Sequence, residues 1–301
     1  MTEQSGNKSD PAIVRIVPRL ADIGGISVSR LLPTRQRRMI GAWCFLDHAG
    51  PAEFAAGGGM RVGAHPHTCL QTFTWMIAGE VLHRDSLGNV QVIRPGQVNL
   101  MTAGRGVVHT EESPAGERRL HAAQLWIALP PALGDCEPAF EHYPDLPRWT
   151  QDGCTLTLLA GAHGGQRSPV RLHSPLLGLE LHASAASRLA IPLQPGFEHG
   201  ILVLDGEARI GGERFVRDEL ADLGRGRDVV ELGLAPGSRL LLLGGEPFAA
   251  EILMWWNFVG FSKDGIARAQ RDWESGSPRF GAVAGHDGPR LMPPPLPWPG
   301  Y

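Results

Sequence analysis

Short apolar runs, cut at close intervals by glycine- and proline-containing turns, set the pattern of this chain. Between Arg61 and Leu129 they fall at Thr72 to Ile77, Val90 to Ile93, Val98 to Met101 and Gln124 to Leu129, each of strand length. Gly79-Glu80, Gly88-Asn89 and Pro95-Gly96 supply the turns between them. The spacing predicts an all-β barrel or sandwich. A second stretch of strands runs from about Cys154 to Trp255 and echoes the first. Leu204-Asp205-Gly206-Glu207 resembles Ile77-Ala78-Gly79-Glu80, and the segment from Asp218 to Leu223 resembles Pro95 to Leu100. Two related β-domains in tandem follow from that repeat.

The remaining segments bound these domains. Pro130, Pro131, Pro138, Pro144 and Pro147 predict a linker without regular structure. Ser262 is placed to cap a helix with Ile266, Ala269 and Trp273 on one face. The run Pro293-Pro294-Pro295-Leu296-Pro297 predicts an extended tail over the surface. The expected division is therefore a polar, disordered leader over 1–12, a first domain over 13–145, a second over 150–260, and a short helix with a Pro-rich tail over 261–301.

Composition narrows the classes. The chain has 301 residues, 43% apolar and 20% charged, with a formal charge of -3. Such a balance gives no footprint for direct nucleic-acid binding or for an anionic membrane. The basic run Arg35-Gln36-Arg37-Arg38 is short and reads as a solvated face. Four cysteines without CxxC spacing read as isolated reduced thiols. No apolar run reaches spanning length and no secretory h-region is visible, so a soluble cytoplasmic protein is expected.

The chemistry sits in two polar pairs, His65-Pro66-His67 and His109-Thr110-Glu111. Each has donors at i and i+2 in a stretch that reads as strand, so each pair projects to one side. If the strands meet, three imidazoles and a carboxylate converge on one point. That set suits a transition metal that favours nitrogen and oxygen, with positions left open for small molecules. The donor types alone leave Fe(II), Mn, Ni, Cu, Co and Zn open.

The words around these pairs resemble a known family. Gly59-x5-His65-x-His67, followed by His109, has the order of the cupin motifs. The segments Phe45-Leu46-Asp47-His48-Ala49-Gly50-Pro51, Met101 to Glu111 and Leu125-Trp126 look like the pirin family, as do Leu242 to Pro247 and Phe258-Val259 further on. The resemblance implies a bicupin, with one Fe(II) held in the first barrel by His65, His67, His109 and Glu111. In the second half the corresponding positions fall near Pro192 and Gln194, which implies a metal-free domain, with His199 a surface or core residue.

What the resemblance implies about function is a quercetin 2,3-dioxygenase type of reaction on a flavonol-like aromatic substrate, with Glu111 as catalytic base. The alternative is a non-enzymatic, iron-dependent, redox-sensing regulator that binds a protein partner; a metal-dependent isomerase is a weaker third. Where the family commonly has Arg-Gly-Phe-Glu after the HPH, this chain has Thr68-Cys69-Leu70-Gln71. A regular strand would bring Cys69 and Gln71 to the face of His65 and His67. His48, His121 and Gln124 are further candidates for the pocket or its surroundings, and His83-Arg84-Asp85 for a hydrogen-bond network.

Overall fold

Residues 11–298 are described in the computed structural model, so the expected leader falls largely outside the described residues. The first half contains β1 (Val14–Ile16), β2 (Arg19–Ile23), β3 (Ile26–Leu32), β4 (Trp43–Glu53), β5 (Arg61–His67), β6 (Leu70–Gly79), β7 (Val81–Asp85), β8 (Val90–Ile93), β9 (Val98–Thr102), β10 (Val107–Glu112), β11 (Arg119–Ala128) and β12 (Ala139–Tyr143). The second contains β13 (Arg148–Gln151), β14 (Cys154–Ala160), a small pair β15 (Ala162–His163) and β16 (Gln166–Arg167), β17 (Leu176–Ala183), β18 (Ser187–Pro192), β19 (Glu198–Asp205), β20 (Glu207–Ile210), β21 (Glu213–Val216), β22 (Leu220–Arg225), β23 (Val229–Leu234) and β24 (Arg239–Gly245). A hairpin, β25 (Leu253–Trp255) and β26 (Phe258–Gly260), then leads into one helix, α1 (Lys263–Glu274).

Each half pairs a seven-stranded sheet with a four-stranded one. In the first the orders are β12-β9-β6-β11-β4-β3-β2 and β5-β10-β7-β8; in the second they are β1-β22-β19-β24-β17-β14-β13 and β18-β23-β20-β21. The repeat seen in the sequence is thus a repeat of topology, two jelly-roll barrels in series. Its echoed words fall on matching turns. Gly79 (φ 78°) and Gly206 (φ 69°) turn the chain between β6 and β7 and between β19 and β20. A Cβ at Gly79 would stand 1.9 Å from the Arg119 carbonyl oxygen, so the turn admits no side chain.

Three segments differ from expectation. The proline-rich stretch after β11 carries a short 3-10 turn at Pro131–Leu133 and the strand β12, which pairs with β9. Its prolines flank the strand instead of interrupting the ladder, which is why regular structure survives there. The first strand, β1, belongs to the second barrel: it pairs with β22, with Val14 opposite Asp222 and Ile16 opposite Leu220. There it fills the edge that β12 fills in the first barrel. Arg37, from the run read as solvated, lies between the halves, with Glu198 at 3.2 Å and Asp222 at 3.6 Å.

The two large sheets meet through apolar faces. Leu46, Phe73, Ala123 and Leu125 of the first share one buried cluster with Leu202, Leu204, Leu241 and Leu243 of the second. Trp43 is fully buried there, edge-on to Phe73, and its indole N–H faces the carbonyls of Gly244 (3.2 Å) and Leu177 (3.3 Å). The helix forms as its sequence predicts. Ser262 Oγ accepts from the Gly265 N–H at 3.1 Å, and Ile266, Ala269 and Trp273 are buried against Ala64 and Val108 of the first barrel. The helix that follows the second barrel is therefore packed back on the first, as β1, which precedes the first barrel, is packed on the second.

Candidate metal centre

Strands β5 and β10 are antiparallel neighbours, with His65 opposite His109 and His67 opposite Val107. The two-residue period of a strand turns His65, His67 and His109 to the same, inner face. One ring nitrogen from each lies within 4.8 Å of the others, and all three side chains are buried. The Nε2 atoms of His67 and His109 are 3.1 Å apart.

Hydrogen bonds on the opposite ring nitrogens fix which form each imidazole takes. His65 Nδ1 donates to the Gly63 carbonyl at 2.8 Å, and His67 Nδ1 donates to the Asn257 carbonyl at 3.1 Å. His83 Nε2 donates to the Asp85 carboxylate at 3.0 Å, which leaves His83 Nδ1 as an acceptor. His109 Nδ1, 3.4 Å away, donates to it. With that assignment the Nε2 atoms of the trio are left as acceptors turned on one another, a donor set that a shared cation would fill. Protons do not fill that role. Burial drives the His65 pKa down to about 4, and burial together with the neighbouring imidazoles drives His67 and His109 well below the ordinary value. A divalent metal fits the donor set, and the carbonyls on the far nitrogens of His65 and His67 are partners of the kind that orient metal-bound histidines.

Glu111 reaches the region by another route. The register slips between His109 and Glu111, so that Glu111 faces Val62. Its carboxylate groups with His83 and His109, and it lines the same cavity as His65 and His67. Burial raises its pKa, partly offset by His83 and by a hydrogen bond with Thr74. Thr74 Oγ1 also lies 2.7 Å from the side-chain amide of Gln124.

The cavity above these groups has a volume of about 400 Å³, within the size range of small-molecule sites. One part of its wall is aromatic: Phe45 and Trp126 stack at 4.0 Å and 12°. The Arg30 guanidinium lies 4.5 Å over Phe45 and holds Asp47 through two bonds of 2.7 and 2.6 Å. Gln124 is among the residues that line the cavity.

Four other candidates stand elsewhere. Cys69 adopts a left-handed backbone (φ 56°) at the corner between β5 and β6, which belong to different sheets. The parity argument ends at that corner, so Cys69 packs beside Met101 and Val107 in another cluster. Gln71 turns away from the cavity, and its amide donates to Thr102 Oγ1 on the neighbouring β9 at 3.0 Å and to the Arg171 carbonyl of the second half at 3.4 Å. His48 and His121 lie on the faces of β4 and β11 opposite the cavity. Their Nε2 atoms meet at 2.9 Å, with Asp218 2.6 Å from His48 and Asp205 3.6 Å from His121. They form a polar bridge between the barrels, because a side chain one residue along a strand changes sides.

Sequence reasoning missed Asn257, Arg30, Thr74, Trp256 and Leu291 as parts of the site. Asn257 acts through its backbone carbonyl from 190 positions away, so no side-chain signal marks it. In the second barrel the inward positions of β18 and β23 carry Leu189, Ile191, Val230, Leu232 and Leu234. Pro192 is on the outer face, and His199 is a buried core residue whose ring nitrogens have no partner.

Two jelly-roll barrels in tandem, with imidazoles gathered in the first and hydrocarbon at the equivalent place in the second, define a bicupin with one candidate metal centre. The chain belongs to the pirin family: the Pirin model matches residues 25–127 and the Pirin C-terminal cupin domain matches residues 178–281. A Pseudomonas aeruginosa protein, whose name carries a provisional quercetin 2,3-dioxygenase assignment, is 65% identical over 94% of this chain and 90% of its own length. A crystal structure of quercetin 2,3-dioxygenase from Acinetobacter baumannii superposes with a TM-score of 0.93 at 50% identity, covering 95% of this chain and 96% of that one. The fold also matches a bacterial pirin from Escherichia coli in complex with nickel(II), with a TM-score of 0.63 at 21% identity, over 78% of this chain and all of that one. No helix among the described residues is long and apolar enough to cross a membrane.

Proposed function

We propose that this chain is a flavonol dioxygenase of the quercetin 2,3-dioxygenase type, with Fe(II) held by His65, His67, His109 and Glu111. The observation that carries the reading is the set of three bare Nε2 atoms at the foot of a cavity walled by stacked aromatic rings. The names of the two relatives that cover nearly the whole chain support the same substrate class.

When bound, the ion would supply Lewis acidity, lowering the pKa of a ligand hydroxyl and holding substrate and oxygen together. The chain's own residues do the rest. Glu111, buried in the cavity wall beside the imidazoles, takes the proton of the flavonol 3-hydroxyl. Thr74, fixed by Gln124, holds that carboxyl in place. Phe45 and Trp126 receive the aromatic rings, and the apolar wall excludes water from the reacting carbon. In the overall reaction both atoms of O2 enter the organic product, the heterocycle opens, and one ring carbon leaves as carbon monoxide.

The test is anaerobic loading with Fe(II), then quercetin and air, following the loss of visible absorbance and the release of carbon monoxide. Turnover is expected, with Glu111→Ala abolishing it and His65→Ala emptying the site of metal. Stoichiometric iron without turnover would refute the enzyme and favour a regulator that binds a protein. An active, iron-replete His65→Ala protein would refute the site.

A further inference from the structure

The cavity lining has two origins. Most of it comes from strands of the first barrel, but Trp256, Asn257 and Leu291 come from the end of the chain. Asn257 cannot shift without releasing His67, whose Nδ1–H its carbonyl accepts. Trp256, its neighbour in the same turn, adopts a left-handed backbone (φ 52°). Leu291 is different. It lies past residue 281, where the family match ends, and no metal-site residue hydrogen-bonds to it.

Its backbone is nevertheless pinned on both sides. The Leu291 N–H donates to the Ala64 carbonyl on β5 at 2.8 Å, and the Leu291 carbonyl accepts from the Trp273 indole at 2.8 Å. On either side, Arg290 donates to the Trp273 carbonyl at 2.9 Å and stacks 4.5 Å over its ring, and Gln270 donates to the Pro294 carbonyl at 3.1 Å. The tail is thus strapped across α1 and delivers one apolar side chain to the cavity. That side chain lines the cavity while staying 39% exposed, which places it at the mouth. Gly63 makes room for the strap: a Cβ there would stand 3.1 Å from the Pro289 carbonyl oxygen and 3.5 Å from the Leu291 side chain.

We infer that Leu291, carried by the C-terminal tail, is a specificity-determining residue that sets the size of ligand the first-barrel cavity accepts. The inference rests on the proposed reading of that cavity as a substrate site. A wall residue whose side chain makes no hydrogen bond to the metal ligands or to the groups that orient them changes which ligands enter without changing the metal.

The experiment compares the full-length, metal-loaded protein with Leu291→Trp and with Met292→Trp. Met292 is 53% exposed and is not part of the lining, so its replacement perturbs the tail without narrowing the mouth. Maltol and quercetin share an adjacent hydroxyl and carbonyl but differ in ring number, and each is titrated by its absorbance shift. Leu291→Trp is expected to raise the Kd of quercetin at least about tenfold while leaving maltol within about twofold. Metal content should stay unchanged, and Met292→Trp should behave as the parent does.

A second readout is the half-time for metal removal by excess EDTA, expected to lengthen roughly threefold or more in Leu291→Trp as the mouth narrows. If quercetin and maltol both fail to bind the parent, the flavonol reading falls, and the EDTA half-times still decide the role of Leu291. Equal losses for maltol and quercetin, equal effects of Met292→Trp, or half-times and affinities that do not move would overturn the inference.

Discussion

Asp85 stands one histidine behind the candidate metal centre. Its carboxylate accepts from His83 Nε2, and from the backbone N–H groups of Leu87 and Asn89 at 2.9 and 3.0 Å. Burial by itself would raise its pKa; the bonds from His83 and Asn89 outweigh that and hold it below the usual value. The anion fixes the hydrogen of His83 on Nε2, which makes His83 Nδ1 the acceptor for His109 and so leaves His109 Nε2 bare. Asp85→Asn removes the anion at the head of that series. The expected result is a loss of metal affinity of about tenfold, the low end of the effect of cutting a direct partner of a ligating histidine, because Asp85 acts on His109 only through His83. A competition titration against a chelator measures it; parent-like affinity would show that His109 is oriented by other means. Ring hydrogen placement of this kind is decided by contacts across strands, so the motif His109-Thr110-Glu111 could name the donors but not their protonation.

Among the elements, the two large sheets depend on Trp43 at their contact. Replacing it by Phe keeps most of the ring and removes the N–H that two buried carbonyls share. Trp43→Phe is expected to cost about 1–3 kcal/mol, the penalty for leaving buried polar groups without partners, read as a lower urea midpoint with an unchanged slope. The strands themselves were legible because alternation and turns are local. Gly79 and Gly206 mark equivalent turns, and Ser262 marks the start of α1, each through its own backbone requirement. What sequence did not reveal was where a strand ends and a corner begins. Parity carried from His67 to Gln71 fails at Cys69, whose left-handed backbone sends the chain into the other sheet. The same parity, applied within one strand, separates His48 from Phe45 and His121 from Gln124, one side for the barrel contact and the other for the cavity.

For the molecule as a whole, buried neutral imidazoles set the response to acid. Burial lowers His121 to about 3, helped by the nearby His48, Arg239 and Arg217, and lowers His199 to about 4. An unfolded imidazole titrates near 6.5, so the unfolded chain takes up these protons first. Stability from both groups is therefore whole above pH of about 6.5 and is lost as pH falls toward 4 and then 3. Urea midpoints measured from pH 7.5 down to 4.5 should decline steadily, and the decline should shrink in His121→Gln. A flat profile would mean that the bridge of His48 and His121, with Asp218 and Asp205 beside it, takes up protons as readily folded as unfolded.

The placement of β1 has a consequence for how the chain is made. Val14 to Ile16 leave the ribosome ahead of every other described strand, yet their seat beside Leu220 to Asp222 does not exist until some two hundred residues later. The barrel synthesised second is completed by the segment synthesised first, so the halves are not separable parcels. A cut in the connection near Pro144 would hand each fragment a debt to the other: the trailing piece would present β22 as a bare edge, open to any strand that came to hand.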